Sequence, residues 1–488
     1  MTETGSDVAG QQQEYDVVVV GAGSTGENVA GQAVAGGLST VVVEAELVGG
    51  DCSYWACMPS KALLRSGSAR RAAQRAAGVE VGGLDARAVL DHRDEVTSHW
   101  SDDSQVSWLE QTGIDLVRGH GRLTGEREVT VTAADGSTRV LRARHAVALC
   151  TGSSATVPDV PGLRDSRSWT SHDGTSAGEV PGRLVVVGGG VVACELATAW
   201  SDLRSTVTVL ARSELLSGNE DFAGRLVREA LVERGVDVRT GVQASEVRRG
   251  PDGVRVQVSD GSVLEADEVL VAAGRRPGTD DLGLATVGLE DGAWLDVDDT
   301  LRVLRDGEPV DWLYAVGDLN HRAMLTHQGK YQARAAGDVI VARATGAAVD
   351  DAPWGAHVAT ADARAVPQVV FTDPEVASVG LTTAAAQEAG LDVRVVDHDL
   401  ASLAGTYVHA QGYTGQSRLL VDEARGVVVG ATFVGQDVAE LLHAATIAVV
   451  GEVPVSRLWH AVPSYPTISE TWLRLLEALG RDTARTRP

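Results

Sequence analysis

Cys52 and Cys57 stand with four residues between them in the segment Gly49-Gly50-Asp51-Cys52-Ser53-Tyr54-Trp55-Ala56-Cys57-Met58-Pro59-Ser60-Lys61. A cysteine pair in a reducing compartment is more often catalytic or metal-binding than structural. Zinc needs four ligands, and no second pair stands at metal-site spacing, so no metal is expected. A glycine loop, Gly21-Ala22-Gly23-Ser24-Thr25-Gly26, lies upstream. A dithiol just downstream of a dinucleotide loop points to electrons passing from a flavin to sulfur.

The elements around that loop read as one β-α-β unit. Asp16–Val20 is a continuous apolar, β-branched run, followed by a helix-like Glu27–Val34 and a second buried strand, Thr40–Val43, closed by Glu44. Such a turn lets the backbone approach a pyrophosphate at a helix N-terminus, where unpaired amides and the dipole favour anions. Gly21, Gly23, Ser24 and Gly26 would line it, and Glu44 would accept hydrogen bonds from ribose hydroxyls. The same grammar returns at Leu184–Val187, with Gly188-Gly189-Gly190-Val191-Val192-Ala193, a helix to Ser201 and a strand Thr206–Leu210. Two modules predict two dinucleotides, most simply a bound FAD and a mobile nicotinamide.

The chain of 488 residues is long enough for about three domains. Its 44% hydrophobic and 22% charged residues are ordinary for a globular enzyme, and four cysteines exclude a disulfide-stapled scaffold. A net charge of −25 excludes binding to a phosphate backbone, so no nucleic acid is expected. Residues 1–13 are polar, do not form a signal peptide and are expected to be a disordered tail. The apolar runs are strand-sized, which predicts no membrane span and a cytoplasmic protein. Lysine occurs only at Lys61 and Lys330, so a lysine beside the cysteine pair stands out.

Residues 62–117 read as a long helical excursion and 119–147 as a small antiparallel insertion. A strand Val269–Ala273 runs into Gly274-Arg275-Arg276-Pro277, and Leu313–Val316 leads to Gly317-Asp318. Beyond Pro353 the rhythm changes to strands such as Gln368–Phe371 and Arg418–Val421, then a helix Val438–Val450, without a phosphate loop.

With these motifs assembled, the chain resembles the class I pyridine nucleotide–disulfide oxidoreductases, the family of dihydrolipoamide dehydrogenases, glutathione reductases and mercuric reductases. The resemblance runs from about Tyr15 to the C-terminus, and Cys52–Cys57 with Pro-Ser-Lys after it is its most specific landmark. It implies that Cys57 sits against the flavin as a charge-transfer thiolate and that Cys52 attacks substrate, the two forming a redox-active disulfide. Five steps along a regular helix separate two residues by roughly 7.5 Å, beyond the reach of an unstrained disulfide. Cys52 must therefore lie in a bent segment ahead of the regular helix. The resemblance also implies that Lys61 pairs with Glu195 beside the flavin. Gly50, Thr151, Gly152, Gly317 and Asp318 complete the FAD site, one FAD per chain. Gly188, Gly190, Ala193, Glu195, Arg212 and Gly274 belong to the NAD(P) site. Leu210 stands where NAD-preferring relatives carry an acid and Arg212 follows it, so NADPH is favoured over NADH. Cys150 and Cys194 read as buried small hydrophobes.

The chain departs from the family pattern near its end. Relatives carry His-Pro-Thr-x-x-Glu, whose histidine serves as acid/base for thiol exchange across a dimer interface. Here the segment is Tyr465-Pro466-Thr467-Ile468-Ser469-Glu470. Tyrosine ordinarily ionises near 10 against 6.5 for histidine, so ionising one at pH 7 costs roughly 4 kcal/mol. Tyr465 is expected to donate a proton or orient substrate, with Glu470 beside it, rather than act as a base. Mercuric reductases resemble the chain in having tyrosine there, but their C-terminal cysteine pair is missing, since no cysteine follows Cys194. His460, five residues earlier, either replaces the missing base or, the preferred reading, is an interface or surface histidine. Tyr54, Trp55, Trp459 and Tyr465 form either an aromatic mouth over the dithiol or plain interface packing.

The expected fold is α/β, with two Rossmann-like dinucleotide-binding domains and a C-terminal α+β dimerisation domain. The expected boundaries are 14–170 with 296–362 for FAD, 171–295 for NAD(P), and 363–488 for the interface. The expected function is an NAD(P)H oxidoreductase that passes electrons through FAD to Cys52–Cys57 and on to a small oxidised sulfur compound, acting as a homodimer. The competing readings are a quinone or metal-ion reductase using the flavin directly, and a flavin-loaded binding or sensor subunit.

Overall fold

The computed structural model describes residues 12–481. The tail expected over 1–13 lies outside the described residues up to residue 11, while Gln12 and Gln13 open the strand Gln12–Val20. Among the described residues no helix is long and apolar enough to cross a membrane.

The chain divides into two compact units. The first comprises the chain up to Cys57, Thr97–Ser154 and Arg275–Asp362. Its central strand, Gln12–Val20, runs parallel to Thr40–Glu44 on one side and to Thr138–Leu149 on the other. Asp115–Arg118 and Glu308–Ala315 extend the sheet outward, both in parallel. Val17, Val18, Val19 and Val20 are all buried, the unbroken apolar run that a parallel strand covered on both faces requires. Parallel pairing gathers the C-terminal strand ends at one edge, where ligands bind in open α/β sheets. Gly21, Glu44, Thr151 and Gly317 all stand at that edge. Two helices, Ser24–Ala35 and Thr326–Thr345, cover one face. They run in the same direction and lie very close, because Gly329 rests on Thr25 and Gly337 on Gln32 with no room for a side chain. The Gln32 Nε2 donates to Asp338 Oδ1 across that seam at 3.1 Å.

Two expectations for this region change. The stretch 62–117 is not helical throughout: helices Cys57–Gln74, Ala86–Val96 and Asp103–Thr112 give way to the strand Asp115–Arg118. Gly113, at φ 81°, ends the last helix in the left-handed region, and the next residues find partners in Val41–Glu44. The antiparallel insertion is present as His120–Gly125 and Glu128–Thr132. Its third strand, Thr138–Leu149, continues inward to become part of the parallel sheet.

The second unit comprises Met58–Val96, Ala155–Gly274 and the chain from Ala363. Its parallel sheet orders Asp237–Thr240, Thr206–Ala211, Arg183–Val187 and Glu268–Val271. The helix Val191–Asp202 is buried from Ala193 to Trp200 against it. A five-stranded antiparallel sheet, built from Pro367–Val370, Glu375–Gly380, Val427–Gly435, Gln416–Asp422 and Val393–Asp399, forms the C-terminal part. The segment expected to continue the second module to 295 leaves it at Arg275. The Thr151 Oγ1 donates to the Gly278 carbonyl at 2.7 Å, Gly278 N donates to the Gly152 carbonyl at 2.9 Å, and Leu282 and Leu284 enter the first unit's core.

A charged cluster fixes the second unit internally. Asp373 receives Arg71 at 2.5 Å, Arg75 at 3.0 Å and Arg234 at 3.5 Å, and Arg71 also pairs with Asp202. Burial works to raise the Asp373 carboxyl, but Arg71 and then Arg75 overcome it and hold the group below the usual carboxylate range. Asp373→Asn should cost about 3 kcal/mol, because it strands buried guanidinium charge. A thermal melt should drop by roughly 6–12 °C at neutral pH. The folded value lies below the unfolded one, so this stabilisation holds above about pH 4 and fades as the pH falls through the folded value. The loss on substitution should shrink accordingly in acid.

Candidate functional site

The first glycine loop leaves a helix N-terminus open, the arrangement an anion cradle requires. Gly23 caps the helix Ser24–Ala35 from extended backbone, and no side chain caps the helix N-terminus. Gly50 approaches so closely that a Cβ there would lie 2.8 Å from the Gly23 Cα, which brings the segment leading to the cysteines against the loop. Glu44 is held by two backbone amides, Ala22 N to Oε2 at 2.7 Å and Glu46 N to Oε1 at 2.8 Å. Burial raises its carboxyl despite those amides. Asp318 lies at the far end of the same edge, where Ser153 Oγ donates to it at 2.5 Å and the Arg275 Nε stands at 3.9 Å. Arg275 also reaches Asp51 at 3.3 Å and the Ser153 carbonyl at 2.5 Å. Burial is the main influence on Asp318 and raises it. An uncapped helix N-terminus between one fixed carboxylate for ribose and another for a polyol chain fits FAD.

The cysteines occupy the geometry that the helix argument required. Cys52 lies on the five-residue helix Gly50–Tyr54, Trp55 breaks that helix at φ −134° and ψ −3°, and a new helix starts at Cys57. The pair is present as dithiol, with the two sulfurs hydrogen-bonded. Cys57 Sγ also stands 3.3 Å from Thr326 Oγ1, at the start of the helix Thr326–Thr345. The Cys52 thiol is pushed far above its usual value, first by the hydrogen bond with Cys57, then by burial and the Cys57 charge. Thr326 and Lys330 act in the opposite direction. Cys150 and Cys194 are buried, and burial raises both, Cys194 to about 12. Neither has the thiolate character that reactivity needs. Tyr54 is not part of a mouth, for it is buried with its hydroxyl on the Val48 and Ser101 carbonyls, both at 3.2 Å.

In the second unit Lys61 Nζ meets Glu195 Oε2 at 2.7 Å. The Lys61 side chain is 35% exposed and the Glu195 side chain 4%. The Phe371 amide donates to Glu195 Oε1 at 2.9 Å, and the Phe371 ring lies 4.9 Å from the lysine nitrogen. A carboxylate so fixed orients the cation and leaves it a partly open face. The second loop repeats the first: Gly188 at φ 141°, Gly190 as an N-cap without a capping side chain, and Ala193 buried in the first turn. Arg212 is exposed directly after the strand Thr206–Ala211, and Gly274, at φ 132°, receives Thr156 N on its carbonyl at 2.9 Å.

The C-terminal motif is arranged differently from the expected pair. Tyr465 is 75% exposed, whereas Glu470 is buried and bonds Arg474 at 2.6 Å. The second Glu470 oxygen, Oε2, is buried and has no hydrogen-bond partner among the described residues. Tyr407, Val408, Ile447 and Val462 are also more than half exposed.

Sequence reasoning assigned no role to Thr326, Ser153, Asp51, Arg275, Phe371 or Arg474. A signal was available for Arg275, which directly follows a glycine already marked. The same signal was available for Asp51 and Ser153, which follow Gly50 and Gly152, whereas Thr326, Phe371 and Arg474 take their contacts through the fold.

These features define a flavin- and nicotinamide-dependent dithiol enzyme, and the comparisons agree. Residues 15–333 match the model of the pyridine nucleotide-disulphide oxidoreductases, and residues 366–476 match the dimerisation domain of the same proteins. The chain is 31% identical over 484 residues to a dihydrolipoyl dehydrogenase of Synechocystis sp., covering 94% of this chain and 98% of the relative. It is 29% identical to a mercuric reductase of Staphylococcus aureus, covering 94% and 81%. The solved structure of LpdA from Mycobacterium tuberculosis superposes with a TM-score of 0.81 at 25% identity, over 96% of this chain and all of that one. The chain belongs to the pyridine nucleotide–disulphide oxidoreductase family. It is a flavoprotein oxidoreductase that uses FAD with NAD(P)H, and its C-terminal domain is the family's dimerisation domain.

Proposed function

We propose that the protein is a cytoplasmic, homodimeric NADPH-dependent reductase of a small disulfide or related oxidised sulfur compound. The observation that carries the reading is the dithiol itself. Two sulfurs are held together across a helix break, with the second on Thr326. The domains we assign are FAD over 14–170 with the chain from Arg275 to Asp362, NAD(P) from 171 to Gly274, and the interface from Ala363. Gly21, Gly23, Ser24, Gly26, Glu44, Gly50, Thr151, Gly152, Gly317 and Asp318 hold FAD. Gly188, Gly190, Ala193, Arg212 and Gly274 hold the nucleotide.

Bound FAD would supply the redox chemistry that carries two electrons from NADPH to the Cys52–Cys57 disulfide, which with two protons becomes the dithiol. Cys52 thiolate attacks one sulfur of the substrate R–S–S–R′, forming a Cys52–S–S–R bond and releasing R′S⁻, which takes a proton. Cys57 thiolate then attacks the Cys52 sulfur, forming the Cys52–Cys57 disulfide and releasing RS⁻, which takes the second proton. Lys61, oriented by Glu195, supplies fixed positive charge. Tyr465, close to Glu470 in sequence and exposed at the interface, orients substrate or donates a proton.

The test is NADPH oxidation with a panel of low-molecular-weight disulfides, quinones and metal ions. Turnover on disulfides supports the reading; turnover confined to quinones or metal ions replaces it with direct transfer. Arg212→Ala should lower kcat/KM for NADPH about tenfold and leave NADH unchanged, since a guanidinium–phosphate bond is worth roughly 1.5–3 kcal/mol. A clear NADH preference in the unmodified protein would overturn the coenzyme assignment.

A further inference from the structure

Thiol exchange needs a proton acceptor for Cys52, and the residue at the usual acid/base position is Tyr465. An unused carboxyl stands on the dithiol's own side, within the first unit. Glu27 lies in the first turn of Ser24–Ala35, and its Oε1 is buried without a hydrogen-bond partner among the described residues. An unpaired buried polar atom is costly unless the site uses it. The seam that sets Gly329 on Thr25 and Gly337 on Gln32 places Lys330 level with Glu27 on the facing helix. Lys330 is one turn past Thr326, the residue on Cys57 Sγ. The short helix of Cys52 closes against the same place through Gly23 and Gly50. Three elements thus bring Glu27, Lys330 and the dithiol into one cluster.

We propose that Glu27 and Lys330 are positioning residues for Cys52, with the Lys330 ammonium favouring its thiolate and Glu27 storing the proton that Cys52 gives up. The inference rests on the disulfide-reductase reading. The balance is simple. Cys52 thiol with Glu27 carboxylate becomes Cys52 thiolate with Glu27 carboxylic acid, so the cluster's net charge does not change. Attack on R–S–S–R′ then releases R′S⁻, and the proton held by Glu27 passes to it. The proton for RS⁻, released when Cys57 closes the disulfide, comes from the medium.

The electrostatics agree. Burial raises Glu27 to about 7, Lys330 opposes the rise, and Glu44 adds to it. A carboxyl near 7 is matched to proton transfer at physiological pH. The charged or titratable groups facing the cluster are Lys330 from one helix, Glu44 from the neighbouring strand, and Tyr54 with the two cysteines from the helices after the loop. Tyr54 is itself raised to about 12, by burial first, then by Asp102 and Glu27, with Arg118 opposing.

The experiment is alkylation of Cys52 by iodoacetamide in the NADPH-reduced holoenzyme, followed by mass spectrometry across pH, together with the pH profile of disulfide turnover. Lys330→Gln should slow alkylation at pH 7.5 about tenfold, the loss of thiolate expected when the thiol ionises roughly one pH unit higher, and Lys330→Arg should restore it. Glu27→Gln should move alkylation the other way, making it faster above pH 7, and should remove the turnover limb near pH 7. Opposite effects with rescue by arginine support the proposal. Unchanged titrations, or changes in the same direction, overturn it, and the two Lys330 variants decide alone if Glu27→Gln does not fold. The underlying reading fails separately, through Cys52→Ser protein that still reduces disulfides.

Discussion

Cys52→Ser is expected to abolish turnover on disulfides, by at least about 10³-fold, because removing the attacking group of a unit that acts together removes nearly all of its catalysis. The serine hydroxyl fits the space of the thiol but does not form the exchange bond. The NADPH-driven reduction of a quinone should survive, since it does not pass through Cys52. That split separates exchange chemistry from direct transfer. Loss of both activities together would mean that Cys52 is needed for the flavin site itself, and survival of both would remove the dithiol from the reaction. Cys57→Ser should also stop disulfide turnover, but by trapping the Cys52–S–S–R stage, visible as a mass increase on Cys52.

Lys61→Met is expected to have the second largest effect. The methionine keeps the length of the side chain and removes the charge that Glu195 orients at 2.7 Å. Loss of one preorganised electrostatic contact typically costs about 10²–10³-fold, and the rate of anaerobic reduction by NADPH should fall by about 10²-fold. Glu195 would keep only the Phe371 amide at 2.9 Å, as a buried carboxylate without its cation. That should lower stability by about 2 kcal/mol, less than a fully buried pair because Lys61 is one-third exposed. Glu195→Gln keeps the lysine charge and the bond from the Phe371 amide but has no second oxygen to accept from the Lys61 ammonium, so it should slow reduction by about tenfold or less, through loss of orientation alone. Equal reduction rates in Lys61→Met and unmodified protein would show that the cation has no part in the step.

Much of the site was legible because it depends on backbone chemistry. Gly21, Gly23 and Gly26 between two apolar runs admit one local structure, and Glu44 follows at the next strand end. The break between Cys52 and Cys57 was legible from helix rise alone, and it appears at Trp55. The stretch 62–117 was harder to read, because composition favours helix through Val117 while strand pairing decides its end. The departure of Arg275 from the second module was hidden too, since no local signal marks where a strand changes partners. Glu470 was placed beside Tyr465 by sequence, but Arg474, one helical turn later, takes its carboxylate. Glu27 falls in an otherwise ordinary amphipathic helix, and only the packing of Gly329 on Thr25 shows what faces it. Groups whose neighbours come from distant segments do not announce themselves in a single sequence.

The most direct measurement is an anaerobic titration of the purified holoenzyme with NADPH, following absorbance beyond the flavin bands. If Cys57 thiolate lies against the isoalloxazine ring, two electrons should produce a long-wavelength charge-transfer band that is absent in Cys57→Ser. Flavin bleaching without that band, or a band unaffected by the substitution, would contradict the assignment of Cys57 and the route from flavin to sulfur.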